Sequence, residues 1–393
     1  MTTILPELDR ARDVALDLSG WGRRFVFYQP RNFAFWGYLA LVGIGVLTFF
    51  STLAREYNAY GEAIGLAVTS FAIYAALFWW FTDRIDHYAK LPHKLMVVAF
   101  VWGGFAATGA MAANANDALL AIYGKTFGQA WALNWGAGLA APFTEELAKG
   151  SGLLLLIALA PRHVRTAFDG FILGAFIGLG FQIVEDILYA MTSAGTQFGA
   201  NQIGASVGTI ILRMLTGVAA HILYSAIFCA GVIYLFGRPA EPRKIGRGVL
   251  LIAIPILLHG TWDSVAAIAG QNALTLIGLL IGTIVVALII VARVYKLTVA
   301  RERDFVRDVM APEQARNVIS PIELDAMAGN RKARKTYRKA GRNRQERRRA
   351  RYILNAAYSL ADELAAARGA DTDRVRFARS EVARIRAGVP SPW

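Results

Sequence analysis

Eight stretches of this 393-residue chain are too long and too apolar for soluble helices, and they constrain the architecture more than any other feature. They run over about 33–54, 61–82, 95–115, 129–159, 167–192, 207–236, 248–269 and 273–296. A bilayer's hydrocarbon core takes about 20 apolar residues per helix. Backbone groups in lipid must be satisfied internally, which leaves helices as the spanning form for such blocks. The chain therefore reads as all-α, a polytopic membrane bundle of about eight transmembrane helices with a basic, partly helical cytoplasmic C-terminal tail. The 129–159 block is overlong and holds Pro142, which predicts a kinked helix or a re-entrant lead-in. Hydrophobic residues make up 55% and charged residues 18%, where soluble domains run near a quarter charged. An ordinary soluble enzyme and a disordered chain are excluded. With Cys229 the sole cysteine, so is a disulfide scaffold.

Charge is placed unevenly. Residues 297–393 carry 22 Lys and Arg against 12 Asp and Glu, most of the formal net charge of +14. The chain divides into an N-terminal segment 1–32, a transmembrane domain 33–296 and a basic tail 297–393. The first 32 residues hold Arg10, Arg12, Arg23, Arg24 and Arg31 without an apolar core, so the first span is expected to act as an uncleaved anchor. That segment and alternate loops contain 14 Lys and Arg, and the intervening loops contain only Arg55 and Lys125. Positive charge stays on the cytoplasmic side, so both termini are expected there.

Ionisable groups inside spans are costly and mark function by default. Span four carries Glu145, Glu146 and Lys149, and span five Glu185 and Asp186. Span six carries Arg213 and His221, and span seven His259 and Asp263. Glu145 and Lys149 are four apart, as are His259 and Asp263, so each pair shares a helix face. Phe181 and Glu185 repeat the spacing. Singly, each has a plainer explanation: a helix–helix contact for a histidine, packing for a Glu–Lys pair, neutralisation of a carboxylate for Arg213, an outer-loop position for Asp186. Gly170, Gly174 and Gly178 read as a face for close helix packing. Jointly, the charges on four consecutive helices are expensive to bury without purpose.

Carboxylates and imidazoles in a wet pocket suit hydrolysis. A buried carboxylate can take a proton from water. The histidines can donate to an oxyanion, or with a carboxylate hold a zinc ion, and spacing alone does not decide between these. His-Glu-x-x-His and Gly-x-Ser-x-Gly are both missing, which argues against a zincin and a serine mechanism. A transporter or ion pathway is the main alternative, since buried Glu, His and Lys can relay protons. Against it, no internal repeat is visible.

The succession Glu145-Glu146-x-x-Lys149, Phe181-x-x-x-Glu185, His221 and His259-x-x-x-Asp263 resembles the PrsW family of intramembrane proteases. That family is related to the CAAX-protease and bacteriocin-processing group. The wider group shows Glu-Glu-x-x-x-Arg and a histidine in its second motif. Lys149 one position earlier and Glu185 in place of that histidine follow the PrsW branch. The resemblance covers about residues 129–269 and implies a helical membrane core cleaving peptide bonds in or beside the bilayer. A membrane-anchored protein, anti-sigma-factor-like in the family's pattern, is the implied substrate. Carried over by position, Glu145 is the general base, Glu146 tunes it and Lys149 pairs with a carboxylate. Glu185 assists water or binds metal, His259 and Asp263 form an oxyanion or ligand pair, and His221 is a further ligand or donor. Zn2+ stays open, with His221, His259 and Glu185 as candidate ligands. The resemblance also places the protein in a bacterial cytoplasmic membrane.

In the tail, residues 331–351 hold twelve Lys and Arg and one acid, Glu346. Ile353, Leu354, Ala357, Leu360, Ala361 and Leu364 then recur at helical spacing. Pro312 and Pro321 are expected to break the preceding stretch. The basic run suits anionic lipid headgroups. Nucleic acid fits less well, because no base-reading motif is present and Tyr337 and Tyr352 make no stacking platform. A merely solvated tail is the third reading.

Overall fold

A computed structural model describes residues 4–88, 90–270 and 272–388. No β-strand occurs among them, in keeping with the all-α expectation. The chain forms two compact units. One comprises Phe25–Ile85 and Pro92–Thr298; the other comprises Met1–Arg24, Asp86–Leu91 and Val299–Trp393.

The first is the membrane unit. Six helices of the described residues are long and apolar enough to cross a bilayer. The first two apolar blocks lie in one helix, Phe33–Ile85, of 53 residues. Straight, it would extend about 80 Å, far beyond about 30 Å of hydrocarbon. Tyr60, at φ −131° and ψ 23°, leaves the helical region and divides it. The third block is His93–Phe127, wound as a π-helix over Trp102–Ala112. The fourth is Ala137–Leu159, an α-helix with Pro142 in its interior, entered through a π-helical turn at Ala132–Gly136. It falls outside the six because it carries Glu145, Glu146 and Lys149. The fifth, seventh and eighth blocks are Ala167–Ala194, Ile245–Asp263 and the start of Ala273–Ala315.

The sixth block differs from the single span expected over 207–236. Gln202–Thr216 ends in a 3₁₀ turn at Gly217–Ala219, and a new helix, His221–Phe236, begins after Ala220 (φ −108°, ψ −131°). Hydropathy cannot register this break, because Val218, Ala219 and Ala220 are as apolar as a helix interior.

Ala167–Ala194 is the hub. It is 89% buried over its apolar window, against 28% for Phe33–Ile85 and 11% for Ala273–Ala315. The lipid-facing helices instead expose leucines and isoleucines such as Leu47, Ile73 and Ile281. The hub's glycines work as expected. A Cβ on Gly174 would strike the Ser225 carbonyl, and one on Gly178 the His221 carbonyl. Only a bare Cα lets the two helices approach this closely. That approach sets His221 beside Phe181, one turn further along the hub, with ring centroids 5.0 Å apart.

The second unit has the ordinary aqueous plan. Its helices are Ile4–Ser19, the end of Ala273–Ala315, Pro321–Met327, Arg331–Lys339, Arg344–Ala366 and Asp373–Ala387. Side chains of Ser320, Asn330, Asn343 and Thr372 cap the last four, satisfying donors that a helix leaves open. The stripe Ile353, Leu354, Ala357, Leu360, Ala361 and Leu364 is buried, as its spacing requires. Pro312 does not break the chain as expected. It lies near the C-terminal end of Ala273–Ala315, while Pro321 opens the next helix. The helix runs three residues past Pro312 before it ends, with the Arg316 N–H donating to the Pro312 carbonyl at 3.0 Å. Trp21 Nε1 donates to Asp362 at 3.2 Å, and Arg368 Nη1 donates to the Leu16 carbonyl at 2.8 Å. Residues 4–24 and 299–388 thus share one core.

Candidate active site

Helix packing brings the seven candidate residues into one cluster, five of them buried and Glu185 and Asp263 partly exposed. Glu145, Glu146 and Lys149 are buried on Ala137–Leu159 and His259 on Ile245–Asp263; His221 opens its own helix. Glu185 projects from the hub, and Asp263, one turn beyond His259, sits nearer the rim. A cavity of about 490 Å³ runs along the cluster, lined by Glu145, Glu185, His221, His259 and Asp263 among others.

Lys149 is the hub of the contacts. Its Nζ donates to Glu146 Oε1 at 2.7 Å, to His221 Nδ1 at 2.9 Å and to Glu145 Oε2 at 3.5 Å. It also lies 4.0 Å from the centroid of the Phe181 ring. An ammonium can only donate, so Nδ1 of His221 accepts. Nε2 then carries the hydrogen and donates to Glu185 Oε2 at 2.9 Å. Glu185 is held in turn by Arg213 Nη2 at 2.5 Å, and Arg213 Nε donates to Asp186. Asp186 is therefore buried against Arg213, and Arg213 serves two carboxylates. His259 stands between three acids, with Asp263 Oδ2 at 3.3 Å and Glu145 Oε2 at 3.8 Å from Nε2, and Glu146 Oε1 at 3.4 Å from Nδ1.

Two residues escaped the sequence reading. Asn116 Nδ2 donates to Glu145 Oε1 at 3.2 Å, and the Thr144 hydroxyl donates to Asn116 Oδ1. The ionised carboxylate, which can only accept, sets the amide nitrogen of Asn116 toward Glu145. Glu145's other oxygen is left toward Lys149 and both histidines. Asn116 comes from Ala113–Phe127, so the site extends beyond the four consecutive spans that hold the charges. The run Asn114-Ala-Asn116-Asp117 in an apolar block was the available signal.

Charge and geometry both bear on a metal. Glu145, Glu146, Glu185, Asp186 and Asp263 face two permanent cations, Lys149 and Arg213. Were all five ionised and the imidazoles neutral, the cluster would be short of positive charge, a deficit that carboxyl protons or a bound cation would offset. Glu145, His221 and His259 offer one ligand atom each, all within 4.8 Å of one another. Glu145 Oε2 is 3.7 Å from His221 Nδ1 and 3.8 Å from His259 Nε2. Ligand atoms around a tetrahedral zinc stand about 3.3 Å apart. One carboxylate with two imidazoles is a known zinc set, so these residues fit a divalent metal after a small contraction and release of Nδ1 by Lys149. Glu185, a candidate ligand from the sequence, stands on the far side of His221 at Nε2.

Comparison with known proteins places the chain in a family. Residues 91–292, just over half the chain, match the model of the PrsW family of intramembrane metalloproteases. Protease PrsW of Bacillus subtilis is 30% identical over 129 residues, 32% of this chain and 51% of the relative. Protease PrsW of Clostridioides difficile is 29% identical over 129 residues, 32% of this chain and 50% of the relative. That of Halalkalibacterium halodurans is 29% identical over 136 residues, 34% of this chain and 54% of the relative. The chain thus spans about half the length of the curated relatives it matches. No solved structure matches it significantly.

Proposed function

Because the chain belongs to the PrsW family of intramembrane metalloproteases, we propose that it is an endopeptidase cleaving a membrane-anchored protein in or beside the bilayer. The observation that carries this reading is the convergence of Glu145, His221 and His259 in a buried, charge-poor-in-cations cavity. Glu145 is the group for proton transfer. Asn116 holds its Oε1, so Oε2 faces the cavity and can accept a proton from water. Glu146 stays paired with Lys149 and keeps that cation in place. Glu185, clamped by Arg213, orients His221 and fixes its tautomer. His259, braced by Asp263, is positioned to donate to the carbonyl oxygen as charge develops. A divalent metal such as zinc, if held by Glu145, His221 and His259, would polarise the carbonyl and acidify a bound water, with Glu145 and His259 then acting as ligands in place of proton acceptor and oxyanion donor.

The alternating Lys and Arg content of the loops supports cytoplasmic termini, and the bacterial relatives support a cytoplasmic membrane location. The basic run 331–351 supports contact with anionic headgroups. Its one acid, Glu346, is occupied in capping the helix Arg344–Ala366, where it accepts from the Arg342 backbone N–H at 2.7 Å.

The test compares membrane proteins from cells carrying the active chain with those carrying Glu145→Gln. A new terminus in or beside a membrane anchor, present only with Glu145, is expected. Identical termini in both would refute the protease reading. Bound metal, measured on the purified protein, is expected near one per chain and lost in the His221→Ala/His259→Ala double variant. Metal retained by that variant removes the histidines as ligands.

A further inference from the structure

Six cations of the second unit surround one concavity with no carboxylate in its lining. It holds about 900 Å³ between the end of Arg331–Lys339 and the start of Arg344–Ala366. Arg338 and Lys339 border it from the first helix, and Arg344, Arg347, Arg348 and Arg351 from the second. Steps of three and four residues keep the last four on one helix face. Other arginines of this unit are paired: Arg316 with Asp9, Arg379 with Glu313 and Arg386 with Glu323. Among the described residues, none of the six meets a carboxylate within 4.0 Å. Glu346, the one acid nearby in sequence, already accepts from the Arg342 N–H at 2.7 Å and from Asn343 Nδ2 at 3.2 Å.

Three of the guanidiniums are hydrogen-bonded through Nε alone among the described residues. Arg338 Nε donates to the Arg334 carbonyl at 3.2 Å, Arg347 Nε to the Gly341 carbonyl at 3.0 Å, and Arg348 Nε to the Tyr352 hydroxyl at 2.8 Å. Each bond uses the single Nε–H and leaves the paired Nη groups for a ligand. Arg348 and Arg351 also lie 5.4 and 5.3 Å from the centroid of the Tyr352 ring. Side chains anchored in this way have less freedom to lose on binding. Gathering like charges costs free energy, and the start of Arg344–Ala366 adds the positive end of a helix dipole. An anion in the concavity removes both costs.

We propose that this concavity binds a compact soluble polyphosphate, a molecule with two or more linked phosphoryl groups. Charge selects an anion of high valence, because one monoanion leaves most of six cations unanswered. Donor shape selects phosphoryl oxygens. Arginine forks pair bidentately with phosphate, and a tetrahedral group can accept several forks from different sides, where a planar carboxylate takes fewer. The aromatic ring at the edge, Tyr352, already carries two guanidiniums, so phosphate contacts come without a platform for stacking bases. A bilayer surface asks only for charge spread over an outer face, whereas convergence on one concavity asks for a compact ligand. The site therefore goes beyond headgroup contact by the basic run, and it does not depend on the protease reading.

Isothermal titration of the full chain in nonionic detergent, with inorganic tripolyphosphate as the probe, tests it. Saturable binding is expected, with orthophosphate weaker by about tenfold or more at the same ionic strength. Arg344→Gln/Arg348→Gln should weaken tripolyphosphate on the order of 10²-fold, about tenfold for each charged hydrogen bond lost. Arg331→Gln/Lys332→Gln removes the same charge about 10 Å away along the first helix and should weaken it less than about threefold, since salt screens over that distance. Equal weakening by the two pairs reports net charge alone and overturns the site. So does a wild-type chain that binds no tripolyphosphate, or binds orthophosphate as well, and those results need no variant to fold. Dihexanoylphosphatidylglycerol, a lipid headgroup on short soluble chains, gives the last arm. Binding of that lipid as tight as tripolyphosphate's, and lost in Arg344→Gln/Arg348→Gln, assigns the concavity to headgroups and overturns the soluble ligand. Cleavage activity enters none of these readouts.

Discussion

Two ionic clusters in this chain use similar chemistry in opposite surroundings. In the membrane unit, Arg213 bridges Glu185 and Asp186, with Asp186 fully buried. In the second unit, buried Glu313 receives Arg379 through two bonds of 2.7 Å, with Arg12 and Arg316 each at 3.6 Å. The units are inverted around them. The membrane unit turns leucine and isoleucine outward and keeps its charges within, while the other buries its leucines and turns its charges outward. Arg379 and Arg316 keep part of their guanidinium in water, at 23% and 32% exposure. If Glu313 is lost, they can be rehydrated. Asp186, fully buried, has no such recourse, although Glu185 and Arg213 border the cavity. An ion pair's structural worth therefore follows from what each partner can reach when the other is gone.

The largest expected effect leaves both clusters intact. Glu145→Gln should lower cleavage about 10²- to 10⁴-fold, without changing the thermal melting of the purified protein. A large drop in melting temperature would make Glu145 structural and blur the contrast between working and supporting charges. Arg213→Met comes next, at about 3–5 kcal/mol of lost stability, because Asp186 stays buried without its cation. Glu313→Gln should cost less, about 1–3 kcal/mol. Denaturation of both variants under one set of conditions decides the matter. Equal losses would end the argument that the surrounding solvent sets the difference. The smallest effect lies in the second unit. Tyr358 donates to the Met327 carbonyl at 2.8 Å, and burial raises its pKa to about 12. The unfolded hydroxyl ionises near 10, so the folded unit loses stability as pH rises from there toward the raised value. Tyr358→Phe should cost about 0.5–1.5 kcal/mol near neutrality and flatten that alkaline decline. An unchanged decline in the variant would assign it to another group.

Much of this was legible in the sequence because it rests on short-range spacing. Glu145 with Lys149, Phe181 with Glu185 and His259 with Asp263 each need only one helical turn, and the structure brings all three pairs to one cavity. The stripe from Ile353 to Leu364 is local in the same sense. What stayed hidden depends on partners distant in the chain or on backbone path. Asn116 gains its role through Glu145, 29 residues away. The break at 217–220 leaves the apolar pattern intact, so no window average records it. Pro312 marks the helix end only to within one turn, since the helix runs on to Ala315. The sharing of a core by residues 4–24 and 299–388 could not be read from either segment, since each presents only half of the buried surface.

That shared core has a consequence in time. Trp21 meets Asp362 across 341 residues, and Arg368 meets Leu16 across 352. A ribosome adding about 5–20 residues per second leaves an interval of roughly 20–70 seconds between making the two halves. Throughout it the helix Ile4–Ser19, with Leu16 on its apolar side, waits without its partner while the membrane helices are laid down one after another. The unit closes only after residues 362 and 368 have been made, so its closure reports that the membrane helices between the two halves have been synthesised.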